Sequence, residues 1–317
     1  MKVFISTHPF GEASRLPVEL LNRESIEICV NSHERKINSK ELANEISDAD
    51  VLIAGTEKIN ENVFKNAPNL KLISRVGIGL DGIDFDLCKK YGVRVAYTPD
   101  APTMAVAELC ACLILNLARE VIDADRNIKA GKWQRLMGNL LYGRTLGIFG
   151  LGRIGKTLAH LMSGFKMKII ANDICPDPVF ARLYNIQFKK KEAVLRGSDF
   201  VSINIPLKDD TSDFIRLSDI QTMKKTAFLI NTARGGVVNE KDLYKALHDK
   251  IIKGAGIDVF EEEPYRGNFC KLDNCILTSH MGACTIESRS EMEIQAVEEV
   301  IRFDKNMTLK NEVFSNE

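Results

Sequence analysis

Three short segments of this 317-residue chain each end in a side chain suited to proton or anion chemistry. Arg234 lies in Asn231-Thr-Ala-Arg-Gly-Gly236, just past an apolar run, where a guanidinium could clamp a carboxylate through two parallel hydrogen bonds. Glu263 stands before Pro264 at the end of Gly254-Ala-Gly-Ile-Asp-Val-Phe-Glu-Glu-Glu-Pro264, and His280 follows a strand-like run in Leu277-Thr-Ser-His-Met-Gly282. Oxidising an alcohol needs a base for the hydroxyl proton as hydride leaves carbon, and an imidazole, which titrates near ~6.5, suits that task. A carboxylate beside the ring would orient it and favour its protonated form, so Glu263 and His280 are the candidate pair. A 2-hydroxy or 2-oxo acid would bring the carboxylate that Arg234 could hold. Taken singly, each residue has a plainer reading: a solvated turn arginine, a surface glutamate, a hydrogen-bonded structural histidine. His8, His33, His160 and His248 have no comparable neighbours.

Hydride chemistry needs a carrier, and Thr145-Leu-Gly-Ile-Phe-Gly-Leu-Gly-Arg-Ile-Gly-Lys156 has the pattern that holds one. The short apolar run stops at Gly150, and Gly150, Gly152 and Gly155 give G-x-G-x-x-G before a segment with apolar residues at helical spacing. The first glycine allows a tight turn, the second lets a pyrophosphate approach the backbone, and the third lets helix and strand pack closely. Backbone amides at the helix start, Arg153 and Ile154 among them, would then face the phosphates together with the positive end of the helix dipole. The motif alone is weak, but Asp173 lies 18 residues beyond Gly155 at the end of the next apolar run, where an acid meets the ribose hydroxyls. Ile174 and Cys175 follow it with no Arg or Lys for a 2′-phosphate, which points to NAD rather than NADP. The alternative for Asp173 is a structural cap of the βα loop.

The elements that must position these residues follow a strand–helix rhythm. Runs at Val3–Ile5, Ile26–Val30, Val51–Ala54, Leu70–Ser74 and Val93–Ala96 alternate with polar helical stretches and predict a parallel sheet covered on both faces. Thr98-Pro-Asp-Ala-Pro102 forms a stiff connection to a long helix, roughly Thr103 to Ala130. The rhythm resumes after Gly150 with strands near Phe200–Asn204, Ala227–Asn231, Gly254–Ile257 and Cys275–Thr278, and a last amphipathic helix spans about Ile286 to Asp304.

Lys plus Arg and Asp plus Glu number 43 each, so no global field favours nucleic acid or an anionic membrane. The start lacks a signal peptide's apolar core, and the richest apolar stretch, Met104 to Ala118, is too short to span a bilayer. A cytoplasmic protein with neither nucleic-acid nor membrane partners is expected. The eight cysteines show no metal spacing, so no metal is expected, and they read as small buried residues or free thiols.

In their order along the chain, Gly150-Leu-Gly-Arg-Ile-Gly155, Asn231-Thr-Ala-Arg-Gly-Gly236, Asp258-Val-Phe-Glu-Glu-Glu-Pro264 and Thr278-Ser-His-Met-Gly282 resemble the NAD-dependent D-2-hydroxyacid dehydrogenases. Arg75-Val-Gly-Ile-Gly-Leu-Asp81, Ala105-Val-Ala-Glu108 and Gly131-Lys-Trp133 agree. The resemblance implies an α/β protein in which a Rossmann-type doubly wound NAD domain, residues 99–285, is inserted in a flavodoxin-like α/β substrate-binding domain, residues 1–98 and 286–317. It further implies a hinged cleft, a homodimer, and Arg234, Glu263 and His280 as the catalytic set. Thr103, Pro206 and Asp258 fall among the family's cofactor contacts, Asp258 on the nicotinamide amide. The backbone amides around Val76, Gly77, Ile78 and Gly79 would cradle the substrate carboxylate.

Within the family the chain is most similar to short D-3-phosphoglycerate dehydrogenases of serine biosynthesis, which makes Arg75 and Arg135 candidates for a phosphate; plain surface cations are the alternative. Three departures stand out: Ala54-Gly55 where some phosphoglycerate enzymes carry Arg, Gly82 where Asn is usual, and Ser279 where Pro is usual. No regulatory serine-binding domain is expected after Glu317. The alternatives are a glyoxylate or hydroxypyruvate reductase, a dehydrogenase of another D-2-hydroxy acid, and an NAD(H)-sensing, corepressor-like binding protein. Glu263 argues against a formate dehydrogenase, which would place Gln beside the histidine.

Overall fold

Short runs of Val, Ile, Leu and Phe bounded by polar turns become strands when both of their faces are covered. The computed structural model describes residues 1–313. The chain divides into two units, Met1–Pro102 with the chain from Ala283 onward, and Thr103–Gly282.

The first unit begins with β1 (Lys2–Ile5), β2 (Glu27–Val30), β3 (Val51–Ala54), β4 (Leu72–Arg75) and β5 (Arg94–Tyr97), all parallel, in the order β5-β4-β3-β1-β2. β3 and β4 are buried along their whole length, whereas edge strand β2 is largely exposed. The strand order reverses between β1 and β3, so the crevice of this sheet opens at Ser6–Thr7 and Gly55–Glu57.

The second unit carries β6 (Thr145–Phe149), β7 (Lys168–Asn172), β8 (Gln187–Phe188), β9 (Phe200–Ile203), β10 (Phe228–Asn231), β11 (Gly254–Ile257) and β12 (Cys275–Leu277). They form one parallel sheet ordered β12-β11-β10-β9-β6-β7-β8, with its reversal between β6 and β9. Side chains alternate between two cores: Leu146 and Ile148 pack on one face, Phe149 and Val201 on the other.

The C-terminal helix Ile286–Asp304 belongs to the first unit. Thr285 caps it through a 3.1 Å bond from the Ser288 amide, and Met292, Ala296, Val297 and Val300 pack against Val3, Ile5, Val51, Ile53 and Leu72. The chain then forms β13 (Glu312–Val313), antiparallel on β5, held by a two-pronged pair between Arg94 and Glu312 at 2.7 and 2.6 Å. The first sheet is therefore not wholly parallel, as the strand–helix rhythm had suggested. A two-residue edge strand has too little sequence to show a period.

The long helix expected from Thr103 to Ala130 is two helices, Thr103–Arg119 and Val121–Lys129, broken at Glu120 with φ 54°. The first buries Cys110, Leu113, Ile114 and Leu117, while the second buries no residue, so no packing face carries the helix straight through. The Glu120 carboxylate meets Lys253 Nζ at 3.2 Å. Among the described residues, no helix is long and apolar enough to cross a membrane.

Met292→Ala removes a buried side chain from the seam between this last helix and the first sheet, and should cost about 2–5 kcal/mol. Val30→Ala on the exposed edge strand should change stability by no more than about 0.5 kcal/mol. Denaturant unfolding of the two variants beside the parent checks the contrast.

Candidate active site

The glycine loop is built by packing and conformation together. Gly150 follows β6 with φ 87°, and a Cβ there would lie 2.6 Å from the Asn204 carbonyl oxygen. A Cβ on Gly155 would run into the Gly150 carbonyl, so helix Arg153–Ser163 can approach the strand only with glycine at this point. Nothing lies within 4 Å of the corresponding position on Gly152, which leaves the backbone open to a ligand. Gly152 is also the N-cap and supplies no side-chain cap, so the amides of the first turn, from Arg153 and Ile154 onward, keep the character of an anion site.

Asp173 sits one residue past β7. Its Oδ2 accepts from the Leu151 amide at 2.5 Å and its Oδ1 from the Cys175 amide at 2.7 Å. The carboxylate thus caps the loop and ties it to the glycine turn, while each oxygen retains acceptor capacity for a ribose hydroxyl. Beside it Ile174 is fully exposed, and no cation follows. Thr103 opens the helix Thr103–Arg119, and Pro206 lies just past β9, on the segment that faces Gly150 through Asn204 and Ile205. Asn204 Oδ1 and Thr232 Oγ1, just past the ends of β9 and β10, are buried without a hydrogen-bond partner among the described residues. Open glycine backbone, uncapped amides, a strand-end acid and buried acceptors at one sheet edge fit a dinucleotide.

The candidate proton-handling residues stand at the carboxyl ends of three neighbouring strands. Arg234 follows β10, Asp258 and Glu263 follow β11, and His280 follows β12. Asn231 shapes the arginine turn by donating to the Arg234 carbonyl at 2.9 Å and accepting from the Ala233 amide at 3.1 Å. His280 Nδ1 lies 2.9 and 3.0 Å from the two carboxylate oxygens of Glu263. An ionised carboxylate only accepts, so Nδ1 carries the proton in this pair and Nε2 is the nitrogen suited to proton exchange. Glu263 is steadied in turn by the Phe260 amide at 3.2 Å. Glu240, whose carboxyl is raised by burial above all and also by the neighbouring acids, accepts from the Glu261 amide at 2.6 Å and fixes the next residue of that turn.

Asp258 has a role that spacing did not reveal. It is 1% exposed, and its carboxylate accepts from the Thr278 hydroxyl at 2.6 Å and the Met281 and Gly282 amides at 2.9 Å, while its carbonyl accepts from the His280 amide at 2.8 Å. His280 has φ 51°, a conformation that costs a non-glycine residue about 1–3 kcal/mol. Hydrogen bonds to a charged acceptor contribute about 1.5–3 kcal/mol each, so this carboxylate outweighs the strain and holds the histidine turn. Polar residues placed one step past a strand, as Asp258 and Thr278 are, were the sequence signal available for this anchor.

In the first unit the expected carboxylate cradle is narrower than four amides. Val76 N–H donates to the Ala54 carbonyl at 2.9 Å and Gly77 N–H to the Thr98 hydroxyl at 2.7 Å. Ile78 and Gly79 are the amides left for a ligand. Arg75 is buried and folded onto this same loop, donating to the Gly79 carbonyl at 3.0 Å and to the Val76 carbonyl. It braces the turn, because inward-facing carbonyls need donors. Arg135 is exposed on segment 131–144, which has neither helix nor strand.

A family model described as D-isomer specific 2-hydroxyacid dehydrogenase, NAD binding domain, matches residues 111–282. A glyoxylate reductase from Pyrococcus horikoshii is 38% identical over 315 residues, covering 96% of this chain and 93% of that protein. A glyoxylate reductase from Thermofilum pendens is 41% identical over 272 residues, covering 83% and 80%. Among solved structures, D-lactate dehydrogenase from Aquifex aeolicus, complexed with NAD and lactic acid, superposes with a TM-score of 0.88 at 27% identity over the full length of both chains.

Asp173→Ala should weaken NADH binding about ten- to a hundredfold, the worth of one or two charged hydrogen bonds, and narrow the preference for NADH over NADPH. Fluorescence titration with both cofactors checks this, and an unchanged preference would remove Asp173 from ribose recognition.

Proposed function

Because this chain belongs to the D-isomer-specific 2-hydroxyacid dehydrogenases, an NAD-dependent oxidoreductase family, we propose that it reduces a short 2-oxo acid, glyoxylate or hydroxypyruvate, to the 2-hydroxy acid. The observation that carries this is the His280–Glu263 pair at 2.9 Å, with Arg234 on the neighbouring strand ends and the glycine loop in the same sheet.

Bound at that loop, NADH supplies the hydride, and NAD accepts it in the reverse direction. Arg234 takes the substrate's carboxylate and polarises its carbonyl oxygen. His280 Nε2 delivers a proton to that oxygen as the carbonyl carbon gains hydride, and recovers it in oxidation. Glu263 keeps the imidazole in the required tautomer and stabilises its charged form. Asp258 holds the turn from which His280 projects.

The sequence resemblance to phosphoglycerate dehydrogenases made a phosphorylated substrate the first expectation. Glyoxylate reductases among the relatives, Arg75 folded into its own loop, and Ala54-Gly55 in place of a clamp arginine support the unphosphorylated alternative. We also infer a homodimer. Trp133 and Met137 are 85% and 89% exposed, and Leu140 and Tyr142 are exposed beside them on one irregular segment, more apolar surface than a lone chain usually leaves in water.

His280→Asn should lower turnover about a hundred- to ten-thousandfold while NADH still binds, and retained turnover would remove the histidine from proton transfer. Initial rates with NADH and glyoxylate, hydroxypyruvate or phosphohydroxypyruvate test the substrate; preference for the phosphorylated acid would return the chain to the phosphoglycerate group. Sedimentation of the parent should give a dimer, and Trp133→Glu with Met137→Glu should give a monomer.

A further inference from the structure

A carboxylate stands at the crevice of the first sheet, where the strand order reverses. Glu57 is only 3% exposed, and its Oε1 accepts from the Ser6 hydroxyl and, at 2.9 Å, from the Gly55 amide. Its second oxygen, Oε2, accepts no hydrogen bond among the described residues, and it is not one of the polar atoms sealed from solvent without a partner. Oε2 lies 2.8 Å from where a Cβ on Gly55 would stand, with Thr7 Oγ1 at 3.1 Å on the same side. The space a side chain at position 55 would fill is therefore occupied by a carboxylate oxygen that still reaches solvent.

That oxygen is close to the expected carboxylate cradle. Val76 N–H bonds to the Ala54 carbonyl, so the Ile78–Gly79 turn begins one strand over from Gly55, a spacing of ~5 Å. A three-carbon acid held by those amides spans that distance with its C3 substituent. The cation bonded to Thr7, Arg289, is committed: it donates to the Thr7 hydroxyl at 3.0 Å, to the Pro9 carbonyl, and to Glu293 at 2.6 Å. Glu293 is fully buried and also accepts from the Gly11 amide at 2.8 Å. Among the described residues, the crevice thus presents a carboxylate whose neighbouring cation, Arg289, is already committed to other acceptors.

We propose that Glu57 sets the charge the substrate's C3 substituent can carry: a hydrogen or a hydroxyl, which can donate to Oε2, is admitted, and a phosphate is turned away. This rests on the reading that Ile78 and Gly79 hold the substrate carboxylate. The Ala54-Gly55 departure then has a positive meaning, because the place of a phosphate-clamping arginine is taken by an opposite charge. Specificity of this kind comes from what the pocket repels as much as from what it attracts.

Glu57→Gln keeps the shape and removes the charge. The ratio of kcat/KM for hydroxypyruvate to that for phosphohydroxypyruvate should fall at least about tenfold in the variant, through loss of repulsion at close range. A ratio that stays put while both rates drop together would make Glu57 a structural brace and overturn the proposal. Should the variant not fold, inhibition of the parent decides: D-glycerate should bind at least about tenfold more tightly than D-3-phosphoglycerate, and equal or tighter binding of the phosphorylated acid would overturn it. A parent that reduces no 2-oxo acid at all would instead bring down the reading of the site, and this proposal with it.

Discussion

The buried Asp258 carboxylate is the constraint on which the chemistry of the second unit depends. Taking a charge out of water is tolerable only where hydrogen bonds replace hydration, and here the replacements all come from one turn, Thr278 to Gly282. Satisfying the carboxylate therefore fixes the turn, and fixing the turn places His280 in a left-handed conformation that a histidine would not adopt unaided. From there its Nδ1 reaches Glu263, which stands on the loop that Asp258 begins. One buried acid thus sets the position of the imidazole that meets a second acid.

The same economy governs the glycine loop. Asp173 is half-buried at a strand end and bonds the Leu151 amide, so the acid expected to meet a ribose also shapes the turn expected to meet the phosphates. Gly150 and Gly155 are required by neighbours that leave no room for a Cβ, and Gly152 by the opposite circumstance, open space on the ligand side. In each sheet the candidate site residues stand at or just past the carboxyl ends of the strands. In the first unit that edge holds the Ile78–Gly79 amides, Glu57 and the Arg75 brace.

Much of this was legible in sequence because it rests on local pattern. The strands from Val51 to Ala54 and Gly254 to Ile257 and the helix from Ile286 to Asp304 occur at the bounds their apolar periodicity indicates. Glu263 and His280 were paired from chemistry alone and lie within hydrogen-bonding distance. What stayed hidden was set by partners far along the chain. β13 exists because Glu312 finds Arg94, the helix break at Glu120 follows from an absence of packing beyond it, and the anchoring role of Asp258 was out of sight because its partners lie 20 to 24 residues away. The bonds of Arg75 to the Val76 and Gly79 carbonyls were hidden too, because nothing in local spacing shows that those carbonyls turn inward.

The most direct test of the central claim is the identity of the product. Purified protein given NADH and hydroxypyruvate should consume one NADH for each D-glycerate formed, resolved from its enantiomer by chiral separation. L-glycerate as the product, or no oxidation of NADH with hydroxypyruvate or glyoxylate, would contradict the assignment of His280, Glu263 and Arg234 to this reaction.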